Sequence, residues 1–337
     1  MQALWYVRPG TLEWREQSAP VIATPEAAIV RPIAVATCDL DALIVGGRTP
    51  AAGPFPVGHE FVAEVVEVGP QVRRVQPGDR VSVPYQISCG HCARCVAGQT
   101  GRCRSVPPGS GYGLGAMSDG LTWGGAVADA VLVPYADAMC LSVPTTVDPG
   151  ALAGLSDNLV DGWRTVAPHL PGAAEPRVLV FGVNSVGLYA AGVAAALGAQ
   201  VTYVDPDPGR CTIAERLGAR VLCEQPASRY PGHPVVVHTM GTGDGLRSAL
   251  RSTASGGVCT DTGIFFGNSV EFPLLEMYAK GATFTTGRAD TRAAMPAVLD
   301  LITTGRLDPS AFVTRTAPWD QAPAAWADHH GRLVLTH

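Results

Sequence analysis

Four of the chain's nine cysteines lie in the stretch "CGHCARCVAGQTGRC", which runs from Cys89 to Cys103. Their spacing is Cys-x2-Cys-x2-Cys-x7-Cys, and short Cys-x2-Cys turns present their sulfurs to a common point. Four thiolates suit a tetrahedral zinc ion, so we predict a zinc site formed by Cys89, Cys92, Cys95 and Cys103, in a lobe of about residues 86–106. Four protein ligands leave no open coordination position. This zinc should therefore stabilise the fold, and the chemistry must lie elsewhere.

Other uses of these cysteines remain open but match the sequence less well. The N-terminal residues have no stretch of signal-peptide type, so we expect a cytoplasmic protein, in which stable disulfides are rare. A thioredoxin-like redox pair needs a βαβ neighbourhood, whereas this stretch lies in a loop-rich β region. Free cysteines and an iron–sulfur cluster are the remaining alternatives to zinc.

Composition limits the classes of partner. The 337 residues are enough for two domains, and a formal net charge of −5 gives no reason to expect nucleic acid or an anionic membrane surface. Residues Val178 to Val204 carry no charged side chain and are long enough to cross a bilayer. However, the run changes from β-branched residues to alanines and back, which predicts a buried strand, a helix and a second strand. We therefore expect no membrane span.

The pattern of predicted secondary structure changes at about residue 150. The earlier part is β-rich, with apolar or alternating runs such as "HEFVAEVVEVG" and "DRVSVPY" between turn clusters. Later, strands such as "RVLVFG" and "QVTYVD" alternate with helices such as "VGLYAAGVAAALG" and "PGRCTIAERLG". This alternation predicts an α/β fold with a parallel, doubly wound sheet. After about residue 288, a helix and short β segments could rejoin the first domain.

A second group of metal-ligand residue types is scattered along the chain. It comprises Cys38 in "TCDLD", His59 and Glu60 in "GHEF", and Asp157 in "LSDNLVDG". Taken singly, Cys38 could be a small buried residue, His59 a satisfied core histidine and Asp157 a helix cap.

The order of these pieces resembles the zinc-dependent alcohol dehydrogenases of the medium-chain dehydrogenase/reductase family. The resemblance covers essentially the whole chain and depends on "GHEFVAEVVEVGPQVRRVQPGDRV", on the cysteine stretch, and on "VLVFGVNSVG" followed by "VTYVD". It implies a GroES-like catalytic domain formed by residues 1–150 and 289–337 and a Rossmann NAD-binding domain formed by residues 151–288. It also implies two zinc ions in each chain, one catalytic and one structural.

The resemblance implies roles for individual residues. Cys38 and His59 match two ligands of the catalytic zinc, Glu60 matches an acid that supports or exchanges with them, and Asp41 matches the aspartate that orients the ligand histidine. The third ligand of the family is usually cysteine, but Asp157 stands there, as in the branch that contains glutathione-independent formaldehyde dehydrogenase. Three ligands leave a fourth position open for substrate or water.

The sequence departs from the family where a proton relay usually begins. Leu40 and Leu43 stand where the family usually has Ser or Thr and, in some members, His, and leucine cannot carry a proton. Asp161 is our candidate replacement, because it lies four residues after Asp157 and would share a helical face with it. The alternative for Asp161 is an ion pair with Arg164. Asp39 is a weaker candidate, since it points away from Cys38 if that segment is extended.

The cofactor fingerprint is incomplete. The pattern G-x-G-x-x-G runs from Gly182 to Gly187 through Ser185 and Val186, with Asn184 at the second glycine. Asparagine tolerates positive φ better than other non-glycine residues, so we expect it to preserve the turn. Asp205 ends the next strand, where an acid binds the adenosine ribose and repels a 2′-phosphate, which favours NAD(H) over NADP(H). Arg210 could line the adenosine edge.

The resemblance adds three cofactor contacts. It implies that Gly241 and Thr262 lie at strand ends near the nicotinamide half and that Arg332 meets the phosphates. Together these features predict an NAD-dependent dehydrogenase that transfers hydride between an alcohol and nicotinamide, with the substrate oxygen on the catalytic zinc. The alternatives are a formaldehyde-type aldehyde dehydrogenase or dismutase, and a redox-inactive NAD(H)-binding module. Relatives form dimers or tetramers, so we expect a homodimer or homotetramer.

Overall fold

The computed structural model describes residues 1–115, 123–171, 176–266, 269–328 and 331–337. The chain forms two compact units. The first comprises Met1–Val160, Asp290–Thr303 and Val313–His337, and the second comprises Asp161–Ala289 and Thr304–Phe312. Residues 116–122 of the glycine-rich stretch "GYGLGAMSDGLTWGG", on whose path the size of a substrate pocket would depend, lie outside the described residues.

Among the described residues, the first unit holds two sheets and six α-helices, and a further helix, α5, begins in the first unit and ends in the second. Its strands are β1 (Gln2–Arg8), β2 (Thr11–Glu16), β3 (Ala28–Ala36), β4 (Phe55–Pro56), β5 (Glu60–Val68), β6 (Arg80–Val83), β7 (Val131–Val133), β8 (Leu141–Ser142), β15 (Arg315–Pro318) and β16 (Leu333–Thr336). Its helices are α1 (Asp39–Val45), α2 (Ala93–Val96), α3 (Ala136–Met139), α4 (Pro149–Leu152), α10 (Thr291–Thr303) and α11 (Ala322–Ala327), and α5 covers Asn158–Val166.

The larger sheet of the first unit has the order β15-β16-β3-β5-β6-β8, with β7 also paired to β3. Strands β3 and β5 are buried along most of their length, as expected for the centre of a sheet. The register of β3 with β5 shifts between Pro32 and Ala34, because proline has no N–H to give to a ladder. Strand β16, near the C-terminus, pairs with both β15 and β3, so the two ends of the chain complete one sheet.

The second unit is built on one parallel sheet of six strands, in the order β11-β10-β9-β12-β13-β14. These strands are β9 (Arg177–Phe181), β10 (Gln200–Val204), β11 (Arg220–Leu222), β12 (His233–His238), β13 (Thr253–Asp261) and β14 (Thr283–Thr286). The helices are α6 (Ser185–Ala196), α7 (Pro208–Arg216), α8 (Gly243–Ser252) and α9 (Leu274–Lys280). This arrangement confirms the predicted doubly wound sheet, and the strand order is that of dinucleotide-binding folds.

The apolar stretch from Val178 to Val204 falls on β9, α6 and β10, as predicted from its composition. Strand β9 lies inside the sheet and is buried after its first residue, because parallel strands are covered on both faces. Within the described ranges, no helix has the length and apolar character needed to cross a bilayer.

Candidate functional site

The four clustered cysteines meet in the first unit. Their sulfurs lie within 4.8 Å of one another, and the Sγ atoms of Cys89 and Cys95 and those of Cys92 and Cys103 are each 4.0 Å apart. A tetrahedral ion about 2.3 Å from each sulfur would space its ligands by a little under 4 Å. The arrangement therefore has the size of a closed zinc cage.

Backbone amides point at these sulfurs. The N–H groups of Cys92 and Cys89 donate to the sulfurs of Cys89 and Cys103 at 3.3 and 3.4 Å. The N–H of Arg104 donates to Cys92 Sγ at 3.4 Å, and this bond, followed by the N–H of Cys95, lowers the pKa of Cys92 to about 6. Donors around sulfur favour the thiolate, which is the form that binds metal.

The second group also comes together, although its members are far apart in sequence. One ligand atom each from Cys38, His59, Glu60 and Asp157 lies within 4.8 Å of the others. Cys38 precedes α1, His59 and Glu60 stand at the start of β5, and Asp157 lies just before α5. Four protein donors of soft and hard type around one point suit zinc.

Ser156 fixes the turn that carries Asp157 to the strand that carries His59. Its hydroxyl accepts a hydrogen bond from Phe61 N at 3.1 Å and donates to Phe61 O at 2.8 Å. As a result, Asp157 Oδ2 lies 3.5 Å from His59 Nε2. This distance is close to that expected between two ligands of one zinc ion, each about 2.0–2.1 Å from the metal.

The ionisable groups of this cluster shift one another's pKa values. Burial raises the pKa of Cys38 to about 12. Burial alone would lower the pKa of His59, but the neighbouring carboxylates of Asp41 and Asp157 raise it well above its usual value. These buried groups stabilise one another only when protons or a cation compensate the carboxylates and the thiolate.

Asp41 has two contacts, one of them with the histidine. Its Oδ2 accepts from Cys38 N at 2.8 Å, while its Oδ1 lies 3.7 Å from His59 Nδ1. His59 Nδ1 is buried and has no hydrogen-bond partner among the described residues. The carboxylate therefore stands beside the ring nitrogen that it would orient.

Glu60 is buried against an arginine from near the other end of the chain. Arg332 Nη2 donates to Glu60 Oε2, and Arg332 Nη1 donates to the carbonyl of Thr37 at 3.3 Å. Burial raises the pKa of Glu60 to about 7, although the Arg332 charge opposes this shift. The contact of Arg332 with cofactor phosphates stays a prediction.

The relay candidates have other partners. Arg164 Nε donates to Asp161 Oδ1, so the ion pair that we considered as the alternative is present. The segment after Cys38 is helical and not extended, so the condition under which we discounted Asp39 does not hold. Leu40 and Leu43 lie on α1. A relay through Asp161 stays a prediction.

The glycine-rich turn differs from the expectation for Asn184. Asn184 has a φ of −151°, and the positive φ of 76° is at Val183, so the expected role of asparagine as a stand-in for a left-handed glycine is wrong. Asn184 instead caps α6, since its side chain accepts from Gly187 N at 3.0 Å and donates to Thr239 O at 2.7 Å. Ser185 and Val186 form the first turn of the helix.

Asp205 lies beside this turn with its carboxylate fully buried. It accepts from Val183 N at 2.7 Å, from Tyr203 Oη at 2.8 Å and from Asp207 N at 2.8 Å. Arg210 adds a bidentate pair at 2.7 and 2.9 Å. Burial alone would raise the pKa of Asp205, but these donors, with Arg210 foremost, lower it.

Gly241 and Thr262 follow β12 and β13. Gly241 has a φ of 65°, and a Cβ on Gly263 would stand 2.7 Å from Gly241 N, so the two loops meet backbone to backbone. Thr262 N donates to His238 O at 3.0 Å. The expected contacts of Gly241 and Thr262 with nicotinamide stay predictions.

Sequence reasoning missed a row of polar residues next to these, two of them buried. His238, Asp261 and Thr286 end three adjacent strands at one register level. His238 Nδ1 and Asp261 Oδ1 are 2.7 Å apart, and Thr286 Oγ1 donates to Asp261 Oδ2 at 3.2 Å. Each polar residue ends a strand of the parallel sheet, and that position at the carboxyl edge of the sheet was the available signal.

Comparisons with known proteins agree with this geometry. A family model described as the alcohol dehydrogenase GroES-like domain matches residues 24–145, and one described as zinc-binding dehydrogenase matches residues 185–304. A protein of Mycobacterium tuberculosis, described as a probable zinc-binding alcohol dehydrogenase, is 30% identical over 339 residues, which cover 98% of this chain and 86% of that protein.

Two further relatives are informative. The glutathione-independent formaldehyde dehydrogenase of Pseudomonas aeruginosa is 35% identical over 227 residues, but these cover only 64% of this chain and 57% of that protein. The solved structure of the alcohol dehydrogenase TADH from Thermus sp. ATN1 is 29% identical and superposes with a TM-score of 0.88, covering 100% of this chain and 99% of that chain.

Proposed function

Because the chain belongs to the zinc-binding alcohol dehydrogenase family of oxidoreductases, we propose that it interconverts an alcohol and a carbonyl compound with NAD(H), at a zinc held by Cys38, His59 and Asp157. The observation that carries this assignment is the convergence of these three donors with Glu60 within 4.8 Å. A thiolate and a carboxylate balance the charge of Zn2+, and three ligands leave one position open. Zinc bound there supplies a Lewis acid that polarises the substrate oxygen.

We assign Glu60 a supporting role in this site. Its Oε2 is held by Arg332, and its Oε1 is buried without a hydrogen-bond partner among the described residues. The free oxygen is therefore the one available to exchange with a ligand, while Arg332 holds the other. In the same way Asp41, 3.7 Å from His59 Nδ1, would hold the imidazole in position with Nε2 facing the metal.

We propose that the second zinc is structural and is held by Cys89, Cys92, Cys95 and Cys103. Support comes from the 4.0 Å spacing of the sulfur pairs and from the amide donors aimed at them. All four positions are filled by protein, so this zinc would hold a lobe together and take no part in hydride transfer.

We propose NAD(H) as the preferred cofactor. Helix α6 begins directly after the glycine-rich turn, and a helix N-terminus suits a pyrophosphate. Asp205 lies next to the turn, at the position where an acid binds the adenosine ribose and disfavours the 2′-phosphate of NADP(H), and Arg210 compensates part of its charge. Dissociation constants for NADH and NADPH, measured by fluorescence for the wild type and Asp205→Asn, test this preference.

The aldehyde reaction is the second candidate. Asp157 in the third ligand position and the identity to a formaldehyde dehydrogenase favour it. Recovery of tightly held NAD from purified protein, together with turnover of formaldehyde but not of alcohols, would make this the main activity.

An oligomer and a cytoplasmic location stay predictions from the sequence. Helix α9 in the second unit exposes Leu274, Leu275 and Tyr278 to 69%, 81% and 86%. Neighbouring exposed apolar side chains of this size suit an interface. We propose that a second copy covers them, which light scattering of Leu275→Asp against the wild type would test.

The deciding experiment follows nicotinamide absorbance. Zinc-loaded protein is mixed with NAD and a panel of primary, secondary, aromatic and polyol alcohols, and with NADH and the matching carbonyls. We expect turnover that Asp157→Ala abolishes and Asp320→Ala, an exposed carboxylate of the same unit, retains. NADH binding without turnover on any substrate, unchanged by either variant, would favour the redox-inactive module.

A further inference from the structure

Two cysteines outside both metal clusters meet beside Asp205. Cys211 lies on α7, and Cys223 follows β11 directly. Helix α7 packs on β11, and, besides burial, Cys223 is one of the neighbours that raise the pKa of the Cys211 thiol. Both are free thiols. Two thiols on neighbouring elements are within reach of a disulfide if the backbone allows a short movement.

The backbone of Asp205 connects the two positions. Asp205 N donates to Leu222 O at 3.2 Å, next to Cys223, and Cys211 Sγ donates to Asp205 O at 3.1 Å. The strand register places Val204 opposite Leu222. Asp205 and Cys223 directly follow these two residues, so they are neighbours where the two strands end. The pair is therefore built into the turn that also holds the Asp205 carboxylate.

The two thiols differ in how they meet solvent. Cys223 is exposed, whereas Cys211 is only 6% exposed. Burial raises the pKa of Cys211 to about 12, and the neighbouring Cys223 adds to the rise. A dissolved oxidant therefore reaches Cys223 first, and Cys211 is placed to react with the product.

We propose that Cys211 and Cys223 are a redox pair that a peroxide closes into a disulfide, weakening the binding of the dinucleotide at Asp205. The Cys223 sulfur attacks the peroxide O–O bond and becomes a sulfenic acid, with one water released. The Cys211 sulfur then displaces the sulfenic hydroxyl as a second water. Two thiols are oxidised and one hydrogen peroxide is reduced to two waters.

The effect on the cofactor turn follows from the lost proton. In the disulfide, Cys211 Sγ no longer donates to the carbonyl of Asp205, whose carboxylate holds Val183 N and Arg210. Loss of one hydrogen bond at this turn should weaken dinucleotide binding by about fivefold. This consequence depends on the proposed function, whereas formation of the disulfide does not.

The test uses zinc-loaded protein, limiting hydrogen peroxide and tryptic mapping. Trypsin places Cys211 in the peptide 211–216 and Cys223 in the peptide 221–229. We expect these two peptides to become linked in the wild type, with a chelating dye reporting no zinc release. Cys211→Ser should leave a Cys223 sulfenic acid that dimedone traps, and Cys223→Ser should not react. Cys259→Ala, which removes a buried thiol of the same sheet, should behave like the wild type.

Affinity for NADH is then measured on the reduced, oxidised and re-reduced wild type. An affinity that falls on oxidation and returns with dithiothreitol supports the proposal. Peptides that stay unlinked, or a Cys223 that joins the Cys223 of another chain, would overturn it. Linked peptides with an unchanged affinity for NADH would show that the disulfide forms but does not weaken dinucleotide binding. Absence of NADH binding in the reduced protein would instead reject the proposed cofactor.

Discussion

The glycine-rich turn is so closely packed around Gly182 that one added carbon atom would not fit. A Cβ at this position would stand 2.6 Å from Asp205 Oδ2 and would also meet the hydroxyl of Tyr203. Both neighbours are held in place by their mutual hydrogen bond of 2.8 Å. The glycine is therefore required by the approach of the carboxylate, and not by its own φ.

We expect Gly182→Ala to destabilise the second unit by about 1–3 kcal/mol, because the added methyl forces a buried carboxylate or backbone to shift. Urea unfolding measures this change. Gly209→Ala is the matched control, since a Cβ there meets only the Asp207 side chain, at 3.1 Å, and alanine is the better helix former. Equal stability of the two variants would contradict the packing argument.

Asp205 should make stability depend on pH. Its pKa in the folded protein is lowered, with Arg210 as the main favourable cause, so its stabilising contribution is fully present above the unfolded value of about 3.9 and is lost as pH falls through the lower folded value. We expect Asp205→Asn to cost about 1–3 kcal/mol at pH 7.

This difference between wild type and Asp205→Asn should shrink as pH falls below about 4, which urea titrations between pH 3 and pH 7 measure. Asp207→Asn keeps an N-cap side chain on α7 and should behave like the wild type. A difference that stays constant down to pH 3 would show that the carboxylate charge is not the cause.

At the scale of elements, the residues that cap helix α1 are also residues of the proposed metal site. Cys38 caps the helix, since its Sγ accepts from Leu40 N at 3.4 Å while Asp41 Oδ2 accepts from Cys38 N. The same two side chains face His59. Helix formation therefore orients the cysteine and the aspartate in one step.

We expect Asp41→Ala to lower the affinity for the catalytic zinc by about 10- to 100-fold, because it removes the carboxylate beside His59 Nδ1. Competition with a zinc chelator measures the affinity. Asp39→Ala changes an exposed residue of the same helical turn and should have a far smaller effect. Similar losses in both variants would mean that the charge of the turn matters and the contact with His59 does not.

The sequence predicted secondary structure well where apolar residues recur at a regular spacing or where Gly and Pro mark the end of an element. Most strands and helices from Arg177 to Thr286 follow from apolar runs and their spacing. The four-cysteine site follows from its spacing, whereas the Cys38 group followed only from the resemblance to a family. The helix after Cys38 was not predicted, since cysteine is an unusual cap and the segment is short. The positive φ at Val183 could not be predicted either. It depends on the Asp205 carboxylate, which lies 22 residues away and accepts Val183 N.

At the scale of the whole molecule, the two proposed metal sites differ in what they would stabilise. The cysteine cage closes a loop-rich lobe whose helices have only 3 or 4 residues. The Cys38 cluster instead joins segments that the sheet and Ser156 already hold. Loss of metal should therefore unfold structure at the first site and leave structure at the second.

We expect Cys103→Ser to reduce the zinc content from about two to about one per chain and to lower the melting temperature by about 5 °C or more. Asp157→Ala should also reduce the zinc content but should change the melting temperature by no more than about 2 °C. Elemental analysis and calorimetry of the same samples measure both. Equal thermal losses would contradict the division into a structural and a catalytic metal.

The pairing of β16 with β3 sets an order of events during synthesis. Leu333 and Thr37, which exchange hydrogen bonds beside these strands, are separated by 296 residues. At about 5–20 residues per second, the ribosome needs roughly 15–60 s to make that interval. During that time the part of β3 that pairs with β16 lacks this partner, while the strands of the parallel sheet, the last of which ends at Thr286, are all made. The nascent chain therefore completes the strands of the parallel sheet before the strand that closes the larger sheet of the first unit, and the unpaired segment of β3 is an edge that a chaperone could protect.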